Sequence, residues 1–386
     1  MPTNRLIEAT LHDHFTQYRQ ALVLLGARQV GKTTLLRRLF PDALYLLVDN
    51  EEIRARFETY NIDTYKTIIA QSQQIFIDEL HLLSDPGRAV KIIYDQIPGI
   101  QIIVTGSSSF HIKNKTAESM AGRKIEYELH PLTFFEYLFQ QGTENKLQAP
   151  IIQNILQNNQ ARPKLYNQRE LVSAVLLNGL YPATLNLAGK KDYLRDLARS
   201  AIFQDIIALN LIENRAKALD LLKLLAYQIG NLINVQELAS KLSIDRRTVE
   251  RYLEIFEQSF IVFRLYPYSQ NSRYEIGKTP KIYFWDLGLR NALINRFDSI
   301  DLRPDAGAMF ENFIIAEVKK EIKYLDLDYE IKYWRLKSGS EIDLVLHDHR
   351  QLIGCEIKLS TGRISPAFLS RYPQARTHLL TADNFA

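Results

Sequence analysis

Five apolar residues, Ala21-Leu22-Val23-Leu24-Leu25, run into Gly26, and apolar positions resume at helical spacing at Leu35, Leu36, Leu39 and Phe40. The first pattern predicts a buried strand and the second a helix. Further short apolar runs follow at residues 43–48, 74–78, 100–104 and 125–129. The run at 43–48 ends at Asp49, the one at 74–78 ends at Asp78-Glu79, and the one at 100–104 leads into Thr105-Gly106-Ser107-Ser108-Ser109. Leu6, Ile7, Leu11 and Phe15 mark a short amphipathic helix ahead of the first strand. Strands alternating with helices predict a parallel sheet covered on both faces, with its chemistry at the strand C-termini.

The pattern then changes. Residues 141–170 collect Gln153, Asn154, Gln157, Asn158, Asn159, Gln160 and Pro163, the composition of an exposed connector or insertion. Residues 171–214 return to helical spacing, as a lid or bridge. Val235, Leu238, Ala239 and Leu242 fall at i, i+3, i+4 and i+7; after Ser243-Ile244-Asp245 the spacing recurs at Val249, Tyr252, Leu253 and Phe256. Two such helices joined by a three-residue turn predict helix-turn-helix, with Asp245 capping the second helix and residues 261–266 supplying a wing. Near the end, Phe310-Glu311-Asn312-Phe313 opens a helix. The runs Glu341-Ile342-Asp343-Leu344-Val345-Leu346 and Leu352-Ile353-Gly354-Cys355-Glu356-Ile357-Lys358 form a hairpin around His347-Asp348-His349-Arg350.

Composition narrows the class. The 386 residues are 46% hydrophobic and 24% charged, as in an ordinary globular protein, and length alone suggests about two to three domains. A net charge of +4 permits nucleic acid without requiring it. The single cysteine, Cys355, excludes an internal disulfide framework and reads as a core thiol in a reducing compartment. The start lacks the apolar core of a signal peptide, and no apolar run approaches the ~18 residues of a membrane span. The expectation is a cytoplasmic protein with no membrane segment. The pattern changes divide it into 1–140, the parallel-sheet core; 141–215, connector and helical lid; 216–270, winged-helix-like; and 271–386, a connector with a terminal α/β domain.

The chemistry begins at Gly26-Ala27-Arg28-Gln29-Val30-Gly31-Lys32-Thr33-Thr34, which contains G-x-x-x-x-G-K-T between strand and helix. In such a loop backbone N–H groups wrap a β-phosphate, and the helix presents its positive N-terminus to the anion. Lys32 reaches the β- and γ-phosphates and the Thr33 hydroxyl ligates Mg²⁺. Asp78 is the matching strand-end carboxylate for Mg²⁺, and Glu79 the group that orients or deprotonates the attacking water. Ser107 is either a γ-phosphate sensor or a turn serine. Arg123 is either a solvated arginine or a residue that completes a neighbouring subunit's site in trans.

Two further sites are weaker. Arg246, Arg247 and Arg251 on the second helix of the helix-turn-helix suit DNA phosphates, but Glu250 and Glu254 share that surface. DNA contact and a purely structural winged helix both remain open. In the terminal hairpin, period-two geometry puts Glu356 and Lys358 on one strand face, with Asp343 on the adjacent strand. Two carboxylates and a lysine, with Glu311 upstream, can ligate Mg²⁺ and polarise a water for phosphodiester attack. The pairs His12/His14 and His347/His349 lack further spaced ligands and read as solvated.

With these residues in view, the chain resembles a large prokaryotic family of AAA+-type ATPases with a C-terminal domain of unknown function. The resemblance rests on the phosphate loop (Ala27 stands where the family has proline), Ile77-Asp78-Glu79, Thr105-Gly106-Ser107 and Gly122-Arg123. It continues through Pro131-Leu132-Thr133-Phe134 with Glu136, and Pro280-Lys281-Ile282-Tyr283-Phe284 with Asp286 and Gly288. Tyr333-Trp334-Arg335, Glu341-Ile342-Asp343 and Glu356-Ile357-Lys358 are similar to its terminal domain, itself similar to the PD-(D/E)xK restriction-endonuclease fold; Ile342 takes the place of proline. The resemblance implies Glu311, Asp343, Glu356 and Lys358 as nuclease residues.

The expected architecture is α/β: a P-loop AAA+-like parallel-sheet ATPase domain, a helical and winged-helix middle, and a restriction-endonuclease-like C-terminal domain. The expected function is an ATP- and Mg²⁺-dependent hydrolase that acts on DNA (duplex, single-stranded or branched) as a homo-oligomeric motor or switch, with a hexameric ring as one form. The alternative is a nucleotide-dependent regulatory or scaffold protein whose terminal domain binds a partner without cutting.

Overall fold

The strand-like runs of the first 130 residues do lie in one sheet. A computed structural model describes residues 4–106, 120–142, 149–157, 167–200, 212–269 and 279–385. Strands β1 (Ala21–Leu25), β2 (Leu44–Leu47), β3 (Gln74–Asp78), β4 (Gln101–Gly106) and β5 (Lys124–Glu128) pair in the order β2-β3-β4-β1-β5, every pair parallel. β1 has neighbours on both sides and is buried at all five positions, which is why its sequence is apolar without alternation. β5 lies at the edge, is half-buried throughout, and alternates Lys-Ile-Glu-Tyr-Glu. Parallel pairing needs crossovers, and helices Lys32–Leu39, Glu51–Phe57, Ile62–Ile69 and Pro86–Gln96 supply them. Their starts follow local rules: Asn50, Asn61 and Asp85 each accept first-turn N–H groups. The amphipathic stretch ahead of β1 is two short helices, Glu8–His12 and His14–Gln17, meeting at Asp13.

The described chain divides into two compact units. The first holds the residues up to His130 with Gln258–Phe260, and the second most of the remainder. The sequence divisions at 215 and 270 therefore fall inside the second unit. Hydrogen bonds explain why: Gln168 and Arg169, in the helical stretch, bond Ala382 and Asp383 near the C-terminus. The strand after the second helix of the helix-turn-helix is equally tied. β6 (Val262–Leu265) pairs antiparallel with β7 (Lys281–Phe284), and beyond it Tyr266 and Tyr268 exchange backbone bonds with Tyr333.

The helix-turn-helix forms as read. Helices Val235–Leu242 and Arg246–Gln258 flank Ser243, whose φ is 52°. Asp245 Oδ1 accepts the Thr248 N–H at 2.9 Å. Val249, Tyr252, Leu253 and Phe256 form the buried stripe.

The terminal sheet runs β11-β10-β9-β8, from β8 (Glu330–Arg335), β9 (Glu341–His347), β10 (Leu352–Lys358) and β11 (Arg376–Thr381). β8, β9 and β10 are antiparallel neighbours, and β11 joins β10 in parallel. Lys332 faces Val345 while Trp334 faces Ile342, so Asp343 and Leu344 together oppose Tyr333. This bulge lets Ile342 and Val345, three residues apart, both enter the cluster of Trp334, Phe368 and Tyr372. It also turns Asp343 away from that cluster.

Candidate nucleotide site and a C-terminal carboxylate–lysine centre

The loop after β1 has the shape its composition requires. An added Cβ on Gly26 would lie 2.1 Å from the Leu129 carbonyl oxygen, so only glycine lets the loop leave the sheet there. Gly31, at φ 96°, caps the helix beginning at Lys32 from a backbone region that other residues rarely enter. Arg28, Gln29 and Val30 form the arch between them, and Val30 is fully buried. The Lys32 ammonium is 2.8 Å from the carbonyl oxygens of both Gly26 and Ala27. It thus lies across the mouth of the loop, satisfied by acceptors that phosphate oxygens can replace.

Asp78 ends β3 beside the helix start. Its Oδ2 accepts the Thr33 hydroxyl at 2.9 Å and the Tyr45 hydroxyl at 2.7 Å, while its Oδ1 accepts the Thr105 hydroxyl. Thr33 and Asp78 are therefore brought together, as an Mg²⁺ site shared by loop and strand end demands. A Thr33 hydroxyl can offer a lone pair to the ion while still donating its proton to Asp78. Thr34 follows on the same helix and is exposed.

Glu79 leaves the strand at φ 57°, in the left-handed region, which turns its side chain out of the sheet. Its N–H donates to Thr105 Oγ1 at 3.1 Å and its carboxylate is 3.1 Å from His81 Nδ1. Tyr45, Thr105 and His81 were not singled out from sequence. Thr105 is visible in the sequence as the hydroxyl that opens Thr105-Gly106-Ser107 at the end of β4, a motif in which the γ-phosphate role falls to Ser107. Ser107 lies outside the described residues. Burial and the bond to Asp78 push the Tyr45 phenol above its ordinary range, so it remains a donor. Arg123 is placed differently from a free arginine: its guanidinium grips Asp95 through two bonds of 2.7 and 3.1 Å.

The second unit holds the other centre. Lys358 Nζ stands 3.0 Å from Asp343 Oδ2 and 2.7 Å from Glu356 Oε1, and Asp343 Oδ2 also accepts the Ile357 N–H at 2.8 Å. Glu356 Oε2 is buried with no hydrogen-bond partner among the described residues. Burial, and then repulsion by Asp343, raise the Glu356 carboxyl above its usual range. Burial would lower the Lys358 ammonium, but Asp343 and Glu356 outweigh it and raise it. An unpartnered buried carboxylate oxygen beside a second carboxylate fits a divalent cation.

Glu311 joins this centre indirectly. It accepts the Tyr283 hydroxyl at 2.7 Å and pairs with Lys281 at 3.1 Å. Lys281 also bridges to Glu341. Among the described residues no three Asp, Glu, His or Cys side chains are grouped as a metal cage. Lys281 and Tyr283 were missed as site residues; the signal was a lysine opening the otherwise apolar strand Lys-Ile-Tyr-Phe.

On the helix-turn-helix surface Arg246 pairs with Glu250 at 3.0 Å and Arg251 with Glu213 at 3.2 Å. Arg247 is exposed. Cys355 is fully buried, and burial drives its thiol pKa up. His14 is a buried residue bonded to Tyr127 and the Gln20 carbonyl, whereas His12 and His349 are exposed.

The fold and loop of the first unit define an AAA-type P-loop ATPase fold. Residues 18–138 match the family model of an AAA domain. Residues 169–299 and 306–380 match two domains of unknown function, DUF8612 and DUF4143. Among curated relatives, an uncharacterised protein of Methanocaldococcus jannaschii is 26% identical over 85% of this chain and 73% of its own length. An uncharacterised protein of Mycobacterium tuberculosis is 26% identical over 92% of this chain and 74% of its own. Among solved structures, a Walker-type ATPase of Pyrococcus abyssi is 16% identical, with a TM-score of 0.47 over 75% of this chain and 94% of that one. AMPPCP-bound DnaA of Aquifex aeolicus is 13% identical, with a TM-score of 0.28 over 65% of this chain and 86% of that one. Among the described residues no helix is long and apolar enough to cross a membrane.

Proposed function

We propose that this protein is an Mg²⁺-dependent ATP hydrolase that acts on DNA as an oligomeric motor or switch, and that its C-terminal centre engages phosphodiesters. The observation that carries the ATPase reading is the convergence of Lys32, the Thr33 hydroxyl and the Asp78 carboxylate at one strand–loop–helix corner, with Glu79 next in line. Lys32 would bind the β- and γ-phosphates once released from the two loop carbonyls. Thr33 and Asp78 would hold Mg²⁺, which supplies charge neutralisation at the transferring phosphoryl. Glu79 would orient water. In the oligomer Arg123 would exchange Asp95 for a neighbour's nucleotide, and Ser107 would sense the γ-phosphate. The Asp343–Glu356–Lys358 arrangement supports a nuclease-like terminal domain, with the lysine positioned to meet a phosphate or a water.

The test is ATP hydrolysis by the full chain without DNA, then with duplex, single-stranded and branched DNA. Stimulation by one form is expected. A rate indifferent to all of them, with no DNA binding, overturns the DNA reading, and activity that survives Lys32→Ala overturns the ATPase reading.

A second reading, a nucleotide-dependent regulatory or scaffold protein, is favoured by one observation. Arg246 and Arg251 are already engaged by Glu250 and Glu213, which lowers the charge the helix offers to DNA. Mg²⁺-dependent strand cleavage that disappears in Lys358→Ala would remove it.

A further inference from the structure

Lys281 is not a surface lysine. It opens β7, where it lies opposite Leu265 of β6, and is 3% exposed. Its Nζ sits between Glu311 Oε1, at 3.1 Å, and Glu341 Oε1. Further donors gather on the same two carboxylates. Tyr283 donates to the same Glu311 oxygen, Oε1, at 2.7 Å, and Arg335 is 3.3 Å from Glu341 Oε2. Gly230 backs Glu311 so closely that an added Cβ would lie 3.3 Å from Oε1. Lys281 therefore engages one oxygen of both Glu311 and Glu341, while Glu356 keeps an unpartnered oxygen near Asp343.

We propose that Lys281 is the resident counter-cation of the C-terminal centre: it holds Glu311 and Glu341 away from metal coordination and limits the centre to one divalent cation, on Asp343 and Glu356. The inference rests on reading that carboxylate pair as a cation site. The charges support it. Four carboxylates, Glu311, Glu341, Asp343 and Glu356, meet three cations, Lys281, Lys358 and Arg335, leaving one net negative charge. One divalent ion inverts that to a single positive charge. A second would leave three net positive charges around carboxylates that are only 8–23% exposed, an unfavourable excess where water screens them little. Lys281 is a positioning residue in this scheme. Its burial and its place in a paired strand keep it from reaching a substrate, and it acts by deciding which carboxylates are free.

The experiment is an Mn²⁺ titration of the nucleotide-free full chain, with bound and free ion separated by electron paramagnetic resonance. The ion to be counted is the one that Asp343→Asn removes. The wild-type protein is expected to bind one such ion. Lys281→Met is expected to bind two per chain, because Glu311 and Glu341 become available. Glu311→Gln, with Lys281 in place, is expected to keep the single ion, and this variant covers the case in which Lys281→Met does not fold. One ion at unchanged affinity in Lys281→Met, or loss of the ion in Glu311→Gln, overturns the role of Lys281 while leaving the cation site standing. No Mn²⁺ removable by Asp343→Asn in the wild-type protein refutes the cation site itself, and the role of Lys281 with it.

Discussion

Thr105→Val removes one hydroxyl and keeps the β-branched shape that suits the end of β4. Thr105 is 0% exposed, so no water takes the place of the lost partner. Two bonds go. The hydroxyl no longer donates to Asp78 Oδ1, and it no longer accepts the Glu79 N–H, 3.1 Å away. A bond to a charged group contributes about 1.5–3 kcal/mol, and taking the acceptor from a partly buried amide costs about 1 kcal/mol. Asp78 retains the Thr33 and Tyr45 hydroxyls, which places the sum near the low end, about 3 kcal/mol. For a unit of this size that lowers the unfolding midpoint on the order of 10 °C. Turnover should suffer as well. Glu79 stands in the left-handed region, which costs a non-glycine residue about 1–2 kcal/mol, and the Thr105 bond is one restraint that holds it there. Released, the glutamate loses its aim, and a loss of about tenfold or more in turnover corresponds to the ~1.4 kcal/mol that such a restraint can supply. Calorimetry, with the first unit's transition identified by its upward shift with ATP, and a coupled ATPase assay read the two effects. A midpoint within about 2 °C of wild type together with turnover within about twofold would refute the assignment. Ser107→Ala is the companion: a γ-phosphate sensor loses turnover at an unchanged midpoint, and a turn serine changes neither.

Other outcomes follow from single contacts. Gly26→Ala drives a Cβ against the Leu129 backbone and should cost about 1–3 kcal/mol of stability along with nucleotide affinity. Gly31→Ala meets open space but must hold φ 96°, so its stability loss should be smaller, about 1 kcal/mol; a fluorescent nucleotide and a melting curve separate the two. Glu321, fully buried on helix Ala306–Tyr324, is pushed up to about 8 by burial and by repulsion from Glu317. Its folded value lies above its unfolded one, so the fold retains the proton, and this contribution to stability is full below about 4.5 and lost as pH rises towards 8. Asp286 and Glu317 are shifted in the same direction. The second unit should therefore melt lower at pH 8.5 than at pH 6, with the slope reduced in Glu321→Gln; a midpoint that rises over that window contradicts the assignment. Cys355, buried with a raised thiol pKa, should react with a thiol reagent only at the rate of unfolding.

Sequence reading succeeded where one short-range rule governs one element. An unbroken apolar run names β1 because a strand with two parallel neighbours is buried on both faces. The spacing of Val249, Tyr252, Leu253 and Phe256 names the helix they line. The division of the second unit was not legible because it depends on side chains distant in sequence. Arg169 meets Asp383, and the backbone of Tyr268 meets that of Tyr333. Neither pair leaves a trace in local periodicity, so the stretch 216–270 reads as separable from the chain to which these bonds tie it.

The two sites differ in legibility for the same reason. The phosphate loop is contiguous, and its partner Asp78 ends a strand, so both are visible in one dimension. Tyr45 and Thr105 reach Asp78 only because β2 and β4 flank β3, a strand order that the apolar runs do not encode. In the terminal centre the hairpin spacing brings Asp343, Glu356 and Lys358 together, and the bulge opposite Tyr333 turns Asp343 towards Lys358. What period-two counting misses is Lys281, about sixty residues upstream. Because that lysine occupies Glu311 and Glu341, counting carboxylates along the chain overstates how many ligands the centre can give a metal. The cations placed among them decide that number.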